Sequence, residues 1–202
     1  MSALPWGLLA LAYHLASRLA YVLYIGLALG RQERTGYLTL RHGAEGGFRR
    51  FRRLGATLMY NDAASFVLLC VATWGTLGST LPRGAVLAVG TLLVIIGTSV
   101  KLWAAATLGG GPYYWRDFFV PSEWEGPCTA GPYRYLKNPM YTVGYLQTYG
   151  FALVTGSWPG LAAAVFDHAA ILAFYRLVEK PHFEKYASGG RRETEQEGAG
   201  ER

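Results

Sequence analysis

Apolar residues gather into five runs along the chain, at about 4–29, 54–77, 84–108, 140–157 and 159–178, and the stretches between them hold most of the charge. A hydrocarbon layer of roughly 30 Å takes about 20 apolar residues as a helix, and the runs reach or approach that length. Each is predicted to be helical, because an open strand cannot satisfy its backbone in lipid. Runs four and five are near the short limit. Only Ser157-Trp158-Pro159-Gly160 divides them, so they read as a tight helical hairpin. The expected fold class is all-α: a polytopic membrane bundle of about five transmembrane helices, with cytoplasmic loops forming the site.

Composition supports this reading, since 51% of residues are apolar and 16% charged, which departs from the ordinary soluble class. Run one has no basic segment ahead of it, continues for about 26 residues and is followed by Arg31, which fits a retained span better than a cleaved leader. Arg31, Arg34, Arg41, Arg49, Arg50, Arg52 and Arg53 fall between runs one and two, Arg116, Arg134 and Lys137 between three and four, and Lys180, Lys185, Arg191, Arg192 and Arg202 after five. The opposite side has only Arg83. The positive-inside rule then places the N-terminus outside and the long loops and the tail in the cytoplasm. The compact length would suit a bacterial inner membrane. Arginines beside anionic headgroups account for the net charge of +6, and no nucleic-acid signature is present.

One membrane domain is expected over 1–186. The tail, 187–202, is rich in Gly, Glu and Arg and is expected to be disordered. Cys70 lies in an apolar run and Cys128 in a loop, so they do not readily pair, and neither spacing resembles a metal site. The sequence assigns no oligomeric state, although Gly26-x-x-x-Gly30 is a candidate helix contact.

Ionisable residues inside the runs are costly in lipid and should face the bundle interior. Arg18 lies about mid-span with His14 one turn before it, and Asp167 and His168 lie in run five. An Arg18–Asp167 pair across runs one and five is predicted. Lys101 is expected to snorkel to the cytosolic edge, and Asp62 to lie close to that edge.

Three polar clusters share the predicted cytoplasmic side. Asn138-Pro139 reads as an N-cap followed by proline at the first helical position, so run four is predicted to start there with its free amides toward the interface. Tyr141, Gly144, Tyr145 and Thr148 then share a face, and Gly144 allows close approach of a ligand or helix. Glu179, His182 and Glu184 bring two carboxylates and an imidazole together as the chain leaves the bilayer. Leu108-Gly109-Gly110-Gly111 exposes backbone amides just before an aromatic stretch that contains Asp117-Phe118-Phe119.

Taken in order, Leu108-Gly109, Gly131-Pro132-Tyr133-Arg134, Asn138-Pro139-Met140-Tyr141 with Gly144, and Glu179 before Pro181 resemble the membrane methyltransferases. These include isoprenylcysteine carboxyl methyltransferase and phosphatidylethanolamine N-methyltransferase. The resemblance covers roughly 97–186, and Asn-Pro-Met-Tyr makes it more similar to the phospholipid N-methyltransferases. It implies an S-adenosylmethionine site that maps onto Gly109, Gly111, Asn138, Pro139, Tyr141 and Glu179, with Gly144 beside it. The implied acceptor is a membrane lipid amine. Where the family usually shows two adjacent glutamates, this chain has Glu179-Lys180, so the second acid's task is expected of Glu184 or His182.

Methyl transfer from a sulfonium needs alignment, which contributes on the order of 7–11 kcal/mol at best, and no metal. An amine acceptor must lose a proton before it attacks. Glu179, His182 and Glu184 are the candidate catalytic groups, imidazole being the side chain that ordinarily titrates nearest neutrality. Arg134 and Lys137 are candidates for the lipid phosphate. Competing expectations are an isoprenylcysteine-type acceptor, an NADPH-dependent sterol-type reductase, or a non-catalytic transporter or scaffold. Tyr145, where such reductases tend to show a glutamate, counts against the reductase.

Overall fold

A computed structural model describes residues 4–123 and 126–186; the tail expected to be disordered lies outside the described residues. The helices are α1 (Leu4–Thr35), α2 (Tyr37–His42), α3 (Ala44–Ala72), α4 (Arg83–Leu108), α5 (Leu146–Thr155) and α6 (Trp158–Phe174). α6 continues through a π-helical segment, Tyr175–Glu179, to residue 186. Four continuous helices, Trp6–Thr35, Ala44–Ala72, Arg83–Leu108 and Trp158–Tyr186, are long and apolar enough to cross a membrane. No strand occurs among the described residues.

The helices overrun the apolar runs. With 32 residues, α1 extends about 48 Å at about 1.5 Å per residue, so Arg31 and Arg34 sit on its protruding end rather than in a loop. Arg49, Arg50, Arg52 and Arg53 likewise belong to α3. Between these two helices the chain breaks at Gly36 (φ 58°) and Gly43 (φ 71°), a left-handed conformation that glycine adopts without a Cβ penalty.

The fourth apolar run differs from the expected helix. Asn138 does not cap a helix that starts at Pro139. Its Oδ1 accepts from the Tyr141 amide at 3.3 Å and its carbonyl from the Thr142 amide at 3.1 Å. The Gly144 amide donates to the Pro139 carbonyl at 2.8 Å, and regular helix begins only at Leu146. Irregular backbone at membrane depth is tolerated where protein surrounds it and its polar groups are answered. One such answer comes from α6: His168 Nε2 lies 2.8 Å from the Tyr141 carbonyl, and its Nδ1 lies 3.1 Å from the Tyr149 hydroxyl. Since a carbonyl only accepts, Nε2 carries a proton toward Tyr141.

The turn after α5 follows the predicted hairpin. Gly156 is left-handed, and Ser157 caps α6 by accepting from the Gly160 amide at 2.8 Å. Leu77 donates to the Gly156 carbonyl at 2.7 Å, which brings this turn to the α3–α4 connection at the far end of the bundle. α4 and α5 pack most closely where Gly97 and Gly150 remove side chains from the contact; a Cβ at Gly97 would overlap the Gln147 backbone.

The interior is layered along α1. At one end Ala10 packs with Cys70, Ala152, Ala163 and Ala164. At the other, Ile25 and Leu29 pack with Phe48, Phe51, Trp115, Phe118, Phe119 and Phe174. Between these layers Arg18 Nε donates to Asp167 Oδ1 at 2.8 Å, which is the predicted pair. Arg18 Nη2 also meets Asp62 Oδ2 at 2.8 Å, and His14 Nε2 lies 3.1 Å from Asp167 Oδ2. Asp62 is therefore buried in the cluster and faces the bundle interior, as expected of an ionisable residue in a run.

Candidate functional site

Glu179 ends the π-helical segment, whose widened turn rotates it inward, and only 6% of its surface is exposed. Two neutral groups answer its Oε1: the Trp115 indole N–H at 2.5 Å and the Tyr141 hydroxyl at 2.7 Å. Among the described residues it makes no ion pair. Trp115 is the only non-glycine with positive φ among the described residues, at 58°. A bulky residue in that region costs on the order of 1–3 kcal/mol, and such strain persists where the surroundings fix it. Here Phe51 and Phe174 pack edge-on against the indole and hold it toward Glu179.

Tyr141 reaches Glu179 through the irregular turn just described. Asn138 and the fully buried Pro139 form that turn, and Gly144 lets it lie on α4, since a Cβ there would meet Lys101 at 3.3 Å. Tyr133 adds a second hydroxyl, buried and without a hydrogen-bond partner among the described residues. Burial, reinforced by Cys128 and Glu179, pushes its phenol above the ordinary value, so it remains a donor.

The remaining candidates are distributed more widely. Gly109 closes α4 at φ 72°, and its amide already donates to the Ala105 carbonyl at 3.1 Å. Gly111 turns the chain into the aromatic segment, and its carbonyl accepts from Tyr114 and Arg116. His182 is buried, stacked on Phe118 at 3.6 Å, with Nδ1 2.6 Å from Glu33 and Nε2 3.4 Å from Asp117. It thereby ties α1 to the loop. Glu184 is exposed and faces Lys180 at 3.6 Å, so the structure does not bring it to Glu179. Arg134 and Lys137 lie on the exposed loop surface. Asp117, not singled out from the sequence, supplies the second acid near His182. Its place in the aromatic segment beside Trp115 was the available signal.

A cavity of about 320 Å³ adjoins this cluster, and Trp115 and Tyr141 line it as well as donating to Glu179. No group of three or more His, Cys, Asp or Glu able to hold a metal occurs among the described residues.

The sequence profile of the family described as phospholipid methyltransferase matches residues 85–187. Phosphatidylethanolamine N-methyltransferase of Aspergillus clavatus is 34% identical over 140 residues, covering 67% of this chain and 14% of the relative. The enzyme of that name from Neosartorya fischeri is 35% identical over 141 residues, with coverages of 67% and 14%. That of Clavispora lusitaniae is 36% identical over 100 residues, with 49% and 12%. The chain thus spans about one seventh of the first two relatives' length. No solved structure matches it.

Proposed function

The chain belongs to the phospholipid methyltransferase family, and we propose that it transfers a methyl group from S-adenosylmethionine to the headgroup amine of a membrane phospholipid, of the phosphatidylethanolamine type. The observation that carries this reading is Glu179, a buried carboxylate answered by two neutral donors and no cation. A buried carboxylate held this way is completed by a cationic ligand. The family uses S-adenosylmethionine, and the residues present fit it: Glu179 for its ammonium group, and Tyr133 as a buried hydroxyl still lacking a partner.

When bound, the cofactor would supply a methyl group on a sulfonium to an amine that has first released its proton to interfacial water, the carbon–nitrogen bond forming as the carbon–sulfur bond breaks and neutral S-adenosylhomocysteine leaves. Glu179 holds the cofactor's ammonium, and Trp115 and Tyr141 fix the carboxylate's direction. Because the Gly109 amide is engaged within α4, the amides of Gly110 and Gly111 are left for the cofactor's carboxylate. Asn138, Pro139 and Gly144 shape the turn that presents Tyr141. His182 and Asp117 brace the loop; Glu184, out at the surface, takes no part in this arrangement. Arg134 and Lys137 meet phosphates of the surrounding bilayer. The basic helix ends and loops lie on the cytoplasmic side, where anionic lipid is found.

Vesicles of phosphatidylethanolamine containing the purified protein and methyl-labelled S-adenosylmethionine should yield labelled lipid, whereas phosphatidylglycerol vesicles should not. No label in either would overturn the reading. Glu179→Gln and Gly111→Leu should each weaken S-adenosylhomocysteine binding, and unchanged affinity in both would remove the residue assignment.

A further inference from the structure

The charge cluster inside the bundle is incomplete on one side. The cavity lies between α3 and α4, which make little direct contact, and Asp62 and Lys101 face it from these two helices. Asp62 is 5% exposed and uses Oδ2 for Arg18, while its Oδ1 is buried with no hydrogen-bond partner among the described residues. Lys101 makes no hydrogen bond or ion pair among the described residues, and its Nζ lies 6.0 Å from the Tyr145 ring centre. The two groups are within electrostatic reach of each other.

An unanswered carboxylate oxygen and an unpaired ammonium in one membrane cavity are each unfavourable, and buried polar groups in native structures have partners. A ligand that carries one charge of each sign in a short span answers both. We propose that the cavity seats the phosphoethanolamine headgroup of a membrane phospholipid, its phosphate on Lys101 and its amine on Asp62 Oδ1. The proposal rests on the methyl-transfer reading above and adds the acceptor's seat to it.

Three features favour this occupant. The volume, about 320 Å³, falls at the small end of the roughly 300–1,000 Å³ typical of ligand pockets, which suits a headgroup rather than a whole lipid. Val67 and Val94 carry the lining outward as apolar wall on α3 and α4, a path for acyl chains. Trp115 and Tyr141 are shared between the cavity and Glu179, so an amine seated there lies beside the proposed cofactor position. Arg18 then acts as a positioning residue: anchored by Asp167, it holds Asp62 by one oxygen and leaves the other for the amine.

The test is lipid retention by the full chain in detergent, measured by native mass spectrometry with dioleoyl-phosphatidylethanolamine and dioleoyl-phosphatidylglycerol, beside calorimetry with S-adenosylhomocysteine. The wild type should prefer phosphatidylethanolamine. Lys101→Met should lower its retention about tenfold, the loss expected of one charged hydrogen bond, with S-adenosylhomocysteine affinity unchanged. Asp62→Asn, which keeps an oxygen for Arg18, should erase the preference over phosphatidylglycerol. Unchanged retention and preference in both variants, with S-adenosylhomocysteine still bound, would overturn this proposal alone. Failure of the wild type to bind S-adenosylhomocysteine would instead overturn the reading beneath it. Displacement of the lipid by an equal concentration of free phosphoethanolamine would overturn the membrane origin of the ligand.

Discussion

Asp167 and Glu179 lie on the same continuous helix and are both buried, yet their surroundings differ. Asp167 meets a guanidinium through one oxygen and an imidazole through the other. Glu179 meets an indole N–H and a phenol, both through one oxygen. The first carboxylate is answered by charged and polar partners through both oxygens, and the second meets only neutral donors through one. In a bundle where a bare charge is costly, this difference separates a carboxylate that holds helices together from the one proposed above to receive a ligand. Asp62 shares features of both, with one oxygen on Arg18 and the other unanswered.

The largest expected effect tests the structural half of that contrast. Asp167→Ala leaves Arg18 short of a buried partner, and breaking a buried pair in this way costs about 3–5 kcal/mol. Thermal unfolding in detergent should show a large fall in stability, and an unchanged midpoint would mean that the cluster does not hold α1 to α6. Glu179→Gln should do the reverse. Its affinity for S-adenosylhomocysteine should fall by about 1.5–3 kcal/mol, the value of a hydrogen bond to a charged group, while the unfolding midpoint stays close to wild type.

Two smaller changes sharpen the comparison. Tyr141→Phe removes one of the two donors to Glu179 and should cost about 1 kcal/mol in cofactor-product affinity, read by the same titration. His168→Ala frees the Tyr141 carbonyl and the Tyr149 hydroxyl, bonds that average about 0.6 kcal/mol each in membrane bundles. It should therefore weaken binding slightly, through the placement of Tyr141, and lower stability by a similar amount.

The sequence was most legible where the energetic penalty was largest. Apolar runs of spanning length gave the long helices, and the cost of Arg18 in mid-span was enough to pair it with Asp167. The hairpin at Ser157-Trp158-Pro159-Gly160 was equally readable, because so short a polar and turn-forming break between two apolar runs is a local signal. Asn138-Pro139 misled as a helix start. Its side chain and carbonyl close a local turn instead, and a histidine from α6 stabilises that turn through a contact distant in sequence. Asp62 faces the bundle interior as the cost of a charge in lipid requires, but its pairing with Arg18 depends on a contact between helices that spacing along one run does not reveal.

The candidate site was partly visible through its order of motifs, which pointed to Glu179 and Tyr141 together. Trp115 was not visible as a partner, because its approach depends on a left-handed backbone that nothing in a tryptophan's identity foretells. Asp117 reaches His182 from the loop after α4, a meeting that local spacing along the last helix cannot reveal.

The most direct test of the central claim is calorimetric titration of S-adenosylhomocysteine into the detergent-purified wild type and Glu179→Gln proteins, each checked for an intact unfolding transition. Binding by the wild type that weakens at least about tenfold in the variant, with the transition retained, is the predicted result. Equal affinity in the two proteins would contradict the account.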